Sequence, residues 1–239
     1  MKPHVICHMV SSIDGRILHS RWRPRTASGG DLFERLHERL AGDAWLVGRV
    51  TGEEFAKSQV PYPKSLESRY PRKAWLPRGG ARAYGVVLDA HGRIAWGRAD
   101  IGGDPILVAL TGQVSDSHLA GLRADGVSYF FAGERQLELP LVLDYLRREL
   151  GVKRLLLEGG GTTNGEFLRA GLVDEVSLAI VPAIDGAAGA PSVFHSRETD
   201  APAPLEAMSL EGCETLDHGA VWLRYRLRNA AAAPESAMT

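Results

Sequence analysis

Apolar residues recur along this chain in two alternating rhythms. Short unbroken runs stop at turn residues, and longer stretches repeat every three to four positions. The first run, HVICHMVSS before Ile-Asp-Gly, predicts a buried strand closing at an Asp-Gly turn. RILHSRWRPRTASGG, which follows, is basic, turn-rich and aperiodic. It reads as a loop of the long kind that is commonly functional in compact domains. In DLFERLHERLAGD, Leu32, Phe33, Leu36 and Leu40 share one helical face, with Ser28 as N-cap and Gly42 as the stop. AWLVG then predicts a short strand, and GRVTGEEF a glycine turn opening another helix.

Residues 57–82 hold four Pro, and five Arg or Lys between Lys57 and Lys73, and read as an irregular surface excursion. Beyond them the rhythm resumes. YGVVLDAHGRI and DPILVAL predict buried strands, VSDSHLAGLRADG a short helix, and VSYFFAG a strand. LPLVLDYLRRELG carries Leu139, Leu143, Leu146 and Leu150 at helical spacing, with Pro140 near its start and Gly151 past its end. VKRLLLEGGG is a strand and a glycine turn, TTNGEFLRAGLVDE a helix closing at Gly171, and VSLAIVPAI another strand. LEAMSLEGCETLDHGAVWLRYRL predicts an antiparallel hairpin, and residues 229–239 a disordered tail. Strand and helix alternate with no repeat and no linker. The expectation is one α/β domain, residues 1–228, with a mostly parallel sheet, helices on both faces and a terminal hairpin.

Composition narrows the classes. The 239 residues are 44% hydrophobic and 24% charged, which excludes disordered and fibrous chains. No apolar run is long enough to span a bilayer, and Pro3, His4 and His8 interrupt the N-terminus where a signal peptide needs apolar residues. A cytoplasmic protein without membrane attachment is expected. Two cysteines, Cys7 and Cys213, cannot build a disulfide framework, and both are expected in strands as small apolar residues. The net charge of −1 conceals an asymmetry: residues 1–82 hold 15 Lys/Arg against 8 Asp/Glu, and the remainder 13 against 21. A basic first third is either surface solvation or the footprint of a phosphorylated ligand.

Ligands of parallel sheets bind at the carboxyl ends of the strands, where three turns stand out: SSIDG, GRVT and EGGGTTNG. Consecutive glycines let backbone N–H groups approach an anion, and Thr162, Thr163 and the following helix N-terminus add donors and a favourable dipole. Taken alone, a triple glycine is also a simple turn, Glu158 a solvated strand terminus, and Arg49 and Thr51 a helix start. The pattern is neither the dinucleotide fingerprint nor a Walker loop. His4 and His8 share a strand face but have no third ligand nearby, so no metal site is expected. Five scattered Trp do not make a base-stacking platform, and no nucleic-acid partner is expected.

These turns, in this order, resemble the reductase domain of riboflavin biosynthesis, whose fold is dihydrofolate-reductase-like. The resemblance runs over about residues 4–228. It rests on MVSSIDGRI, DAWLVGRVT, VVLDAHGRI and LLLEGGGTTNGEFLRAGLVDEVSLAIVPAIDG. It implies NADPH held at Gly48, Arg49, Thr51, Gly159, Gly160, Gly161 and Thr162, with Glu158, Ser12 and Asp14 bordering the substrate. The implied reaction reduces a ribosylaminopyrimidine 5′-phosphate to its ribitylamino form, with hydride delivered to C1′ of the opened sugar. Glu158 or Asp14 would assist proton transfer. The zinc deaminase motifs of bifunctional relatives do not occur in this sequence. The usual Asp-x-Pro-x-Leu-x-x-Arg stretch is replaced by GEEFAKSQVPYPKSLESRYPRK, so Lys57, Lys64 or Arg69, or the loop Arg21–Arg25, would receive the substrate phosphate. Asp31 stands where a pterin reductase of this fold places its acidic residue, and equally where a first-turn acid would pair with Arg35. A nucleic-acid- or phosphoanion-binding module using residues 16–25 and 57–82, or an NADPH-binding protein without reductase activity, are the readings outside that class. Related reductases commonly pair, so a homodimer is expected.

Overall fold

A computed structural model describes residues 1–25, 31–64 and 69–230. The chain begins with β1 (His4–Ser12), α1 (Leu32–Leu40), β2 (Ala44–Gly48), α2 (Arg49–Glu54) and β3 (Gly85–Leu88). It continues through β4 (Asp100–Ile101), β5 (Asp104–Leu110), α3 (Asp116–Ala124), β6 (Ser128–Phe131), α4 (Leu139–Glu149) and β7 (Arg154–Leu157). Helix α5 (Gly161–Arg169), β8 (Glu175–Val181), β9 (Leu205–Thr215) and β10 (Val221–Asn229) complete it. The strands lie in the order β6-β5-β3-β2-β7-β1-β8-β10-β9. All are parallel as far as β8, and β10 and β9 close the sheet as an antiparallel hairpin.

The expected α/β architecture is present, and each predicted element forms. Alternation along the strands sorts two cores. Ile6, Val10, Trp45, Val47 and Leu156 face a layer built on α1 and α3, while Val5, Cys7, Leu46, Leu155 and Leu157 face α4 and α5. Helix α1 docks through Leu32, Leu36 and Leu40, all at most 5% exposed, each worth about 2 kcal/mol of burial.

Details differ from the sequence pattern. Helix α1 ends on Ala41 in the left-handed region (φ 50°), not on Gly42. Gly42 is small for another reason: a Cβ there would lie 2.7 Å from Leu156 Cγ. Ser28 lies outside the described residues, and Asp31 occupies the N-cap position without a side-chain capping bond. The two-residue β4, paired antiparallel with the start of β5 across Gly102 and Gly103, was not anticipated. Cys7 is buried in β1 as expected, but Cys213 in β9 is exposed. Strand β10 includes Asn229, whose amide donates to the carbonyls of Gly171 and Val173 at 3.0 Å each. Of the expected tail, 231–239 lie outside the described residues. No described helix is long and apolar enough to cross a membrane.

Topology positions the site. Strand β7 enters late and inserts between β2 and β1, so the carboxyl ends of three strands distant in sequence become neighbours. The chain turns in opposite directions on either side of this insertion, which opens a crevice there.

Candidate active site

A cleft of about 1320 Å³ runs over the carboxyl ends of β1, β2, β3 and β7. Its volume exceeds that of a typical drug-sized pocket and suits a dinucleotide with a second ligand. Gly48, Arg49, Thr51, Glu158, Gly160, Gly161 and Thr162 all line it. The tertiary structure therefore joins two of the three turns singled out in the sequence.

The three glycines after Glu158 have different tasks. Gly159 sits against the β2 backbone, where a Cβ would overlap Val47 Cα, and it does not form the cleft wall. Gly160 faces the cleft, with only Thr51 Oγ1 (3.5 Å) near an added Cβ. Gly161 opens α5, and a Cβ on it would overlap the Ser192 carbonyl behind it. The first-turn N–H groups of α5 have no acceptors within their own helix and carry the positive end of its dipole. Gly48 packs so closely on Thr163 that a Cβ would overlap Thr163 Oγ1, which brings the starts of α2 and α5 side by side. Such a surface fits the phosphates of a dinucleotide. Arg49, beside it, is bonded to Glu53 Oε2 at 2.8 Å.

Glu158 forms the floor. The strand period that sends Leu156 toward α1 also carries Glu158 to that side, and its backbone N–H donates to the Leu46 carbonyl at 2.8 Å. Its Oε1 lies 2.7 Å from Nδ1 of His37 in α1. Burial pushes the Glu158 carboxyl upward in pKa, and the bond to His37 opposes that shift. The same bond raises His37. His37 escaped the sequence reading because a lone histidine beside a helix's apolar face carries no signal until the facing strand is known. Apolar groups complete the walls, among them Trp22, Phe33, Trp45 and Phe55. His91 and Arg93, in the segment after β3, and Arg135, in the segment after β6, also line the cleft.

The other expected residues are elsewhere. Ser12 donates to Asp14 Oδ1 at 2.5 Å, and Asp14 also accepts from the amides of Asp185 (3.1 Å) and Gly186 (2.9 Å). These bonds, led by Ser12, lower the Asp14 pKa to about 2. The Ser-x-Asp-Gly turn thus stitches β1 to the segment after β8, and neither side chain belongs to the cleft wall. Arg21 pairs with Asp185 at 3.1 Å. Lys57 is exposed outside the wall, as is Asp31, which pairs with Arg35 at 3.6 Å. Arg69 lies among the exposed residues of the 57–82 excursion and Lys64 likewise, neither in the wall.

The model of the RibD C-terminal domain matches residues 3–222. The chain belongs to the RibD C-terminal domain family. Among curated members, the 2,5-diamino-6-ribosylamino-4(3H)-pyrimidinone 5′-phosphate reductase of Methanothermobacter thermautotrophicus is 29% identical over 223 residues, covering 90% of this chain and 94% of that one. The enzyme of the same name from Archaeoglobus fulgidus is 30% identical over 199 residues, covering 81% and 86%. A pyrimidine reductase-like protein from Corynebacterium diphtheriae superposes with a TM-score of 0.70 at 20% identity, covering 95% of this chain and 92% of that one. The fold is that of RibD-type, dihydrofolate-reductase-like oxidoreductases, as the order of the turns implied.

Proposed function

We propose that this protein is an NADPH-dependent reductase of a ribosylaminopyrimidine 5′-phosphate, in the riboflavin route. The observation that supports it is the junction of a helix N-terminus free to take phosphate, at Gly160–Thr162, with a buried Glu158–His37 pair in one cleft. When bound, the reduced nicotinamide would supply a hydride to C1′ of the substrate. The first turn of α5 and Thr51 would hold the dinucleotide's phosphates. The guanidinium groups of Arg93 and Arg135 favour the extra phosphate of NADPH over NADH.

The chain's own contribution is orientation, exclusion of water and one proton. Opening the sugar breaks C1′–O4′ and needs a proton on O4′. Glu158 takes that role in this reading, because Asp14 is committed to backbone amides. Trp45, Phe33 and Phe55 give the pyrimidine a dry, flat enclosure. The pterin alternative loses its acidic residue, since Asp31 is 72% exposed beside Arg35. A cytoplasmic homodimer accompanies the proposal, supported by β9, an edge strand that exposes Met208 and Leu210.

NADPH oxidation measured with the ribosylaminopyrimidine phosphate, its deaminated form and dihydrofolate tests the reading. Turnover with a pyrimidine ribotide is expected. Bound NADPH without turnover of any of the three would leave only a cofactor-binding protein.

A further inference from the structure

We infer that His37 is the positioning and proton-supplying partner of Glu158, a route by which the buried carboxyl reaches solvent behind the cleft. The inference rests on the reductase reading and assigns a role to a residue that the turn motifs do not include. Its basis is the arrangement of the two side chains. Glu158 is 5% exposed and lines the cleft, whereas His37 is 31% exposed and lies outside the cleft wall. Their contact of 2.7 Å is the short kind made when one partner carries charge. Once substrate and cofactor fill the cleft, bulk water cannot reach Glu158 from the front. His37 then offers a path from behind.

The balance of the reaction calls for such a path. Ring opening breaks C1′–O4′, the nitrogen lone pair forms C1′=N, and O4′ gains a proton. Hydride addition would make C1′–H and return the electron pair to nitrogen, with a bound reduced dinucleotide as the source of the hydride. One hydride and one proton are consumed, and the proton leaves the pair through Glu158. His37 restores it from solvent.

The surroundings favour a proton on the pair. Glu34 and Glu38 of α1 and Asp104 at the start of β5 add negative potential around it. Of these, Asp104 also accepts from Trp45 Nε1 at 2.9 Å. From β1, Cys7 is held as a thiol by burial, and the negative Glu158 adds to that effect. His8 is held neutral, its pKa pushed by burial down to about 4, and its ring is bonded to Ser177 Oγ and the Phe33 carbonyl. His37 is thus, unlike His8, an imidazole on which the surroundings favour the proton.

Two experiments on the full chain test this. In an NMR titration without substrate, His37 should titrate above an ordinary histidine and fall back toward it in Glu158→Gln. An ordinary value in both proteins overturns the pairing, whatever the substrate proves to be. In turnover, His37→Asn keeps a neutral donor and should lower kcat by about 10- to 100-fold, with KM changed by less than about twofold. Its basic limb should move to lower pH, and imidazole should restore part of the rate in His37→Ala. An unmoved pH profile and no imidazole rescue overturn the proton role. A wild-type protein inert toward every pyrimidine ribotide overturns the substrate reading, while the titration still decides the pair.

Discussion

Gly159 packs against Val47 across the β7–β2 pair, leaving no space for even one further carbon. Gly160, the next residue, faces an open cleft. Two adjacent glycines that look interchangeable in sequence therefore separate under substitution. Gly159→Ala should cost about 1–3 kcal/mol of stability, because the added atom meets backbone and not a movable side chain. Gly160→Asp brings its Cβ against no neighbouring backbone and should abolish NADPH binding, since it sets a carboxylate against the phosphate site. Thermal melts and a cofactor titration distinguish the two, and normal NADPH affinity in Gly160→Asp would refute the placement of the phosphates.

Glu158→Gln retains size and hydrogen-bonding capacity but cannot deliver a proton. Its kcat should fall by about 10²- to 10⁴-fold. The NADPH dissociation constant should change little, because the carboxyl lies on the floor and not at the α5 N-terminus. Equal losses in cofactor affinity and turnover would contradict that division.

Asp14 should matter to stability and not to chemistry. Its pKa is lowered to about 2 by Ser12 and by the amides of residues 185 and 186. The ionised form is thus the one the folded state favours. That stabilisation is complete above the unfolded carboxyl's pKa and is lost as pH falls through the folded value near 2. Asp14→Asn should melt at a lower temperature than wild type at neutral pH, with the gap closing in acid. Its kcat should remain within about twofold, as expected for a residue that touches no reacting atom.

Arg93 and Arg135, which both line the cleft, are expected to set cofactor choice. Arg93→Ala combined with Arg135→Ala should reduce the preference for NADPH over NADH by about tenfold or more, as charge-assisted phosphate bonds are lost. Ratios of kcat/KM for the two cofactors measure this. An unchanged ratio would mean that the ribose end of the dinucleotide lies elsewhere.

Asp31→Ala should alter little. The carboxylate is exposed and, among the described residues, pairs with Arg35, an interaction worth about 0–1 kcal/mol. A large fall in kcat/KM for the pyrimidine substrate would restore the substrate contact that the sequence position suggested.

Much of the molecule was legible before folding was considered. Unbroken apolar runs located β1 and β2, which are buried on both faces, and a period of three to four residues located α1 and α4, which bury one. The glycine turns were visible too, since close backbone approach removes Cβ atoms whatever lies opposite. What lies opposite was not visible. Gly159 meets strand backbone, Gly160 meets the cleft and Gly161 meets the Ser192 carbonyl, distinctions set by the late insertion of β7 between β2 and β1. The same insertion pairs Glu158 with His37, residues 121 positions apart, which no local pattern can announce.

Charge shows the division most clearly. The sequence determined that the first 82 residues are basic and the remainder acidic, and its turns resemble those of a reductase family. Only the tertiary structure decided where those charges go. Arg21 meets Asp185, Arg39 meets Glu214, Arg72 meets Asp116 and Arg78 meets Asp100, so much of the basic excess is neutralised within the molecule. The reason is range: composition counts charges, whereas an ion pair forms only where the fold brings opposite groups within a few ångströms.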